Sequence, residues 1–247
     1  MQLSRVYKGR QITENDRGRF LVGTATLGVV SLAPAILQVR GDDKAKKPDE
    51  KKEAEEVGAA EDLMREHGVL NRILLIYEEG LRRLRAKQEV SPDVFHMPAT
   101  LVRKFVEEYH EKLEEKFIFP EFEKRKKVVD LVTVLRQQHE AGRKVTEVIL
   151  RNAIADQIRK ADAQKELVTS SEAFIRMYRP HEAREDTVLF PAIHNILPAK
   201  QIKDLGEQFE KEEDRLFGEE GFEKTVDQVA AIEKQLGIYD LSQFTPK

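Results

Sequence analysis

After position 58 the chain repeats one arrangement: apolar residues three and four apart, with charged residues between them, which predicts helices and no strand. In the first helix, expected over about 59–87, Leu63, His67, Leu70, Leu74 and Leu81 share a face. "SPD" at 91–93 breaks the pattern, and a second helix from about Pro98 places Val102, Val106, His110, Leu113, Glu114 and Phe117 on its inner stripe. A third, over about 128–158, aligns Val128, Val132, Leu135, His139, Gly142, Thr146 and Ile149. A fourth, over about 163–192, aligns Phe174, Met177, Tyr178, His181, Glu185 and Val188, with a bend expected at Pro180. From Lys200 onward two shorter amphipathic helices, broken near 218–221, add cover. Each of the four main helices therefore turns one histidine inward.

The first forty residues follow another pattern. From Phe20 to Val39 no charge interrupts the apolar run, and Arg5, Lys8, Arg10, Arg17 and Arg19 precede it. This predicts a cleaved export signal or, as the alternatives, a membrane anchor through residues 20–39 or an ordinary buried segment, and under the first two a protein of the cell envelope or periplasm. "RGRFL" at 17–21 resembles a twin-arginine export signal, with Gly18 in place of the second arginine, and "APA" at 33–35 offers small residues for a signal peptidase. Residues 41–57, dense in both charge signs, read as a solvated linker. The expected order is thus a signal or anchor (1–40), a linker (41–57), a four-helix domain (58–197) and a helical extension (198–247).

Composition restricts the chemistry. With 40% hydrophobic and 35% charged residues, the chain suits one main domain. A net charge of −3 gives no overall basic excess for nucleic acid. Cysteine is absent, which excludes thiolate nucleophiles and cysteine-ligated metals, so any metal must use imidazole and oxygen.

Two stretches then stand out. "HEKLEEKFIFP" (110–120) and "HEAREDTVLFP" (181–191) match in His, Glu, Glu, an acid, Phe and Pro at an offset of 71 residues, and His139 follows His67 at an offset of 72. The chain is a helix pair written twice, and two such pairs packed face to face bring the four histidines together. Residues four apart lie one turn up the same face, so Glu114 and Glu185 reach the centre beside His110 and His181. Four imidazoles and two carboxylates are costly to bury without a cation. Two metal ions with bridging carboxylates would compensate them, and imidazole plus carboxylate with open positions suits non-haem iron best, with manganese and zinc as lesser candidates.

"DLMREHGVLNRIL", "YHEKLEEKFIFP", "RQQHEAGR" and "YRPHEAREDTVLFP" resemble the ligand-bearing helices of the hemerythrin-like, or HHE cation-binding, family, in its H, HExxE, H, HExxE variant. The resemblance covers about 58–197. It implies an all-α, up-and-down four-helix bundle holding two iron ions, bridged by carboxylate and by oxo or hydroxo, with His67, His110, His139 and His181 as ligands and Glu114 and Glu185 as bridges. Oxygen-carrying members place another histidine where Arg143 stands here, and take the last bridge from the position of Asp186; Glu185 is preferred because it repeats Glu114. The missing histidine leaves a vacancy, or Glu111 and Glu182 fill in as terminal or supporting ligands. The implied activity is binding or sensing of dioxygen or a related small molecule. A di-iron enzyme acting on peroxide or nitric oxide, with an unknown redox partner, and an iron-buffering protein are the alternatives. His96 and His194 lie off the repeat and are expected in loops or caps, Tyr109 and Tyr178 in core packing. HExxE lacks the second histidine of a zinc hydrolase motif, and "EEYH" (107–110) stands alone where a ferritin-like fold needs two ExxH motifs.

Overall fold

The structure is a computed structural model that describes residues 58–246; the expected signal or anchor and the charged linker lie outside the described residues. Helix α1, Ala59–Arg85, carries Glu61 and Asp62 in its first turn and Arg82, Arg83 and Arg85 in its last, matching both ends of the helix dipole. Helix α2 runs continuously over 93–124, α3 is Val129–Asn152, and α4 runs continuously over 161–193. Short connections return each helix alongside its predecessor, and α1 packs on α2 and α4 while α3 packs on α2 and α4, closing a helical bundle. Helices α5, Ala199–Phe217, and α6, Gly221–Leu236, lie against α1. Among the described residues there is no strand, and no helix is long and apolar enough to cross a membrane.

Three boundaries differ from the periodicity. Helix α2 begins at Asp93 rather than near 98: Pro92 fixes the backbone at the helix entry, so "SPD" starts this element, while α1 has already ended at Arg85. Val128, expected in the core stripe, is the residue before α3, with φ 44° and 37% exposure. Helix α3 stops at Asn152, and Ala155–Ile158 forms a separate turn after extended Ile154.

The larger difference lies inside α2 and α4. Both open into π-helix at Glu114–Ile118 and Glu185–Leu189, again 71 residues apart, and α2 is also π over Val102–His110. Pro120 and Pro191 follow the repeated segments; each lacks an N–H and crowds the carbonyl four residues back, which favours a wider turn. Wider turns shift the register. Phe117 and Val188, expected inside, are only half-buried, whereas Ile118, Phe119, Leu189 and Phe190 are fully enclosed; Met177, also expected inside, is half-buried in the regular α-helix ahead of the wider turn.

Candidate metal centre

His67, His110, His139, His181, Glu114 and Glu185 meet in the bundle interior, none more than 4% exposed. His67 and His110 form one pair, with ring centroids 4.8 Å apart, and His139 and His181 another at 5.1 Å. All four Nε2 atoms face the two carboxylates. His67 Nε2 lies 3.4 Å and His181 Nε2 3.1 Å from Glu185 Oε2; His139 Nε2 lies 3.4 Å and His110 Nε2 3.7 Å from Glu114 Oε2. His139, His181 and Glu185 each offer a ligand atom within 4.8 Å of the others.

All four Nδ1 atoms point the other way, each onto an oxygen. His67 Nδ1 contacts Asp186 at 2.7 Å and His139 Nδ1 contacts Glu115 at 3.1 Å. His110 Nδ1 contacts Glu66 at 2.5 Å and His181 Nδ1 contacts Gln138 at 2.9 Å. The repeat governs this outer layer too. Asp186 and Glu115 each follow a central glutamate, and Glu66 and Gln138 each precede a central histidine. Phe190 stacks on His67 at 5.5 Å and Phe119 on His139 at 5.4 Å, which accounts for the phenylalanine repeated in both motifs.

An oxygen acceptor at Nδ1 selects the tautomer with its proton there and leaves the Nε2 lone pair facing inward. Two such atoms, those of His67 and His110, lie 3.1 Å apart. None of the four oxygens of Glu114 and Glu185 receives a hydrogen bond, nor does His139 Nε2. Inward lone pairs and unpartnered buried carboxylate oxygens are what a cation requires and what a dry core otherwise disfavours. The residues present therefore fit a metal.

Without a cation, protons substitute for it. Burial and then the Glu185 charge push Glu114 well above the usual carboxylate range. Burial also acts to raise Glu185, but His181 and His67 hold it well below. His67 resists its own burial through its hydrogen bond to Asp186 and the nearby Glu185 carboxylate and rises to about 10, whereas burial and the charge on His67 push His110 well down, and burial lowers His139.

The remaining expected residues stand around this core. Asp186 is on His67 Nδ1, 36% exposed, and Glu185 occupies the centre. Glu111 accepts from Arg143 at 2.6 Å and from the Tyr178 hydroxyl at 2.8 Å. Its counterpart Glu182 accepts from Asn71, which holds the place in α1 that Arg143 holds in α3. Burial lifts both glutamates to about 8. Arg143 also donates to Glu115 at 2.5 Å, and burial of Glu115 is outweighed by His139, Lys112 and Arg143, which hold it far below the usual range. Gly142 makes room: a Cβ there would meet the Tyr178 hydroxyl oxygen at 2.1 Å. Tyr178 is thus buried as expected but also hydrogen-bonded to the network, and Tyr109 is buried beside Glu66. His96 lies within α2 rather than in a loop, and His194 caps the end of α4, exposed, 3.6 Å from Glu61. Sequence reasoning missed Glu66 and Gln138; their only signal was their position, one residue before His67 and His139.

The Hemerythrin HHE cation binding domain family matches the chain over residues 58–193. Uncharacterized proteins of two mycobacteria, Mb2018 of Mycobacterium bovis and Rv1995 of Mycobacterium tuberculosis, are each 51% identical to it over 190 residues, covering 77% of this chain and 74% of theirs. No solved structure matches the chain. With more than half its length matched, and the four histidines and two glutamates gathered at one centre, the chain belongs to the hemerythrin HHE cation-binding domain family.

Proposed function

We propose that the chain is a non-haem di-iron protein that binds or senses dioxygen or a related small molecule. The observation that carries this is the orientation of the four imidazoles: every Nδ1 is engaged outward and every Nε2 faces the unpartnered carboxylates. His67 and His110 would hold one iron and His139 and His181 the other, with Glu114 and Glu185 shared between them. Bound iron would supply reversible one-electron chemistry toward oxygen-derived ligands. The chain's own residues fix the imidazole tautomers, exclude bulk water with Phe119 and Phe190, and keep Glu111 and Glu182 beside the centre as groups able to carry protons.

A second reading is a redox enzyme acting on peroxide or nitric oxide. Arg143 favours it: where oxygen carriers have a further histidine, this side chain is committed to Glu111 and Glu115, which leaves one metal position with fewer protein ligands. We further propose export through residues 1–40. The test is iron content and absorption of the purified protein, reduced without air and then exposed to it. Two irons per chain with new near-ultraviolet charge-transfer absorption in air support the di-iron reading; a folded chain that takes up no iron on reconstitution sinks it. Sustained consumption of peroxide or nitric oxide with a reductant selects the enzyme.

A further inference from the structure

We propose a second cation site, outside the histidine centre, formed by Asp62 and Glu66 of α1 and Glu213 of α5 beside the Tyr109 hydroxyl of α2. One oxygen from each of the three carboxylates lies within 4.8 Å of the others. Glu66 is 2% exposed, and Asp62 and Glu213 are half-buried, so this is not a solvated acidic surface. Counter-charge is scarce: Arg65 donates to Asp62 at 3.0 Å, but Glu210 and Glu223 add negative charge around Asp62, and Glu223 and Asp214 around Glu213.

The independent observation is Tyr109. Its side chain is 1% exposed, its hydroxyl has no hydrogen-bond partner of proper geometry, and the charges bearing on it are those of Glu66, Glu213 and Asp62. A buried phenol normally has its hydroxyl satisfied. Here the carboxylates that bear on it are the same three, so it adds a fourth oxygen to the set. Such a set, with no imidazole, selects a hard divalent cation of the manganese, magnesium or calcium type over the softer ions that histidines prefer.

Two consequences follow from where the cluster sits. Glu213 comes from α5, beyond the residues that match the family, so the cation would tie the C-terminal extension to the bundle. Glu66 also holds His110 Nδ1, so a cation drawing on Glu66 weakens its pull on that imidazole and couples the second site to the first.

Terbium, a hard trivalent probe for oxygen sites, provides the test, because a phenol beside it sensitises its emission and the chain has no tryptophan to confuse the signal. The metal-loaded full chain should give tyrosine-sensitised emission that saturates at one ion per chain. Glu213→Gln, which keeps an oxygen for its 2.5 Å contact with the Phe222 N–H, and Asp62→Asn should each weaken binding about tenfold or more at unchanged helicity and histidine-centre metal content. Tyr109→Phe should lose most of the emission while equilibrium dialysis still counts the ion. Wild-type emission unchanged in both carboxylate variants, or no ion held by the wild-type chain beyond the histidine centre, would overturn the proposal.

Discussion

Replacing Glu114 with glutamine should make the stability of the cation-free protein less dependent on pH while removing its capacity to hold a full metal complement. Glu114 is 0% exposed and its oxygens accept no hydrogen bond. Burial, reinforced by Glu185, raises its pKa well above the ordinary 4.5, so the folded, cation-free protein binds a proton that the unfolded chain lacks above that value. Stability from this group therefore falls as pH rises through the range above 4.5. The cost of taking up the proton grows by about 1.36 kcal/mol for each pH unit between 4.5 and the raised folded-state value, so it is larger at pH 7 than at pH 5. Glutamine carries no such cost. Its buried amide, short of partners, loses about 1–3 kcal/mol, equally at both pH values. The difference between variant and wild type should thus move in favour of the variant between pH 5 and pH 7, by about 1.36 kcal/mol for each pH unit below the folded-state value. Urea unfolding of chelator-treated protein at the two pH values measures it. An equal difference at both would refute the claim that Glu114 takes a proton in place of the cation. With metal present the wild type should be the more stable, because a bound ion stabilises the native state by RT ln(1 + c/Kd), where c is the free ion concentration, and the variant has lost a ligand.

Three further outcomes are expected. His110→Ala or His181→Ala should lose most bound metal while His96→Ala retains it, as read by elemental analysis; equal content in all three would remove the site assignment. Gly142→Ala places a methyl 2.1 Å from the Tyr178 hydroxyl oxygen and should cost about 1–3 kcal/mol in chemical unfolding, with Tyr178→Phe in the same chain recovering much of it. Phe209→Ala empties a fully buried position of α5, whose ring lies 5.9 Å from Phe117, and should cost about 3–5 kcal/mol; a cost near zero would mean that the extension contributes nothing to the fold.

The histidines and central glutamates were legible because helical periodicity and the repeat offset both act on them, and each constrains the other. The same logic placed the ends of the body helices within six residues. It misplaced Phe117 and Val188 because it assumed an α register where Glu114–Ile118 and Glu185–Leu189 are π, and a turn that opens ahead of Pro120 or Pro191 leaves no mark on hydrophobic spacing. Glu66 and Gln138 escaped for another reason. Neighbours in sequence differ by about 100° around a helix, so both lie off their own stripe and find their histidines only on the next helix. Arg143 read as a missing ligand; only the packed bundle turns it into the partner of two glutamates.

The repeat is also broken where it matters for the two metal positions. Both outer partners of the His67–His110 pair are carboxylates, Asp186 and Glu66. The His139–His181 pair has one carboxylate, Glu115, already shared with Arg143, and one neutral amide, Gln138. A carboxylate on Nδ1 raises the electron density that imidazole donates through Nε2 more than an amide does. The first pair should therefore favour the more oxidised ion and bind it more tightly, and the two irons of a loaded protein should be spectroscopically distinct, as two unequal Mössbauer doublets. Gln138→Glu restores the symmetric partner and should draw the doublets together, with little change in Asp186→Glu, which alters no charge. Unchanged doublets in Gln138→Glu would show that the outer hydrogen bonds do not set the difference between the two positions.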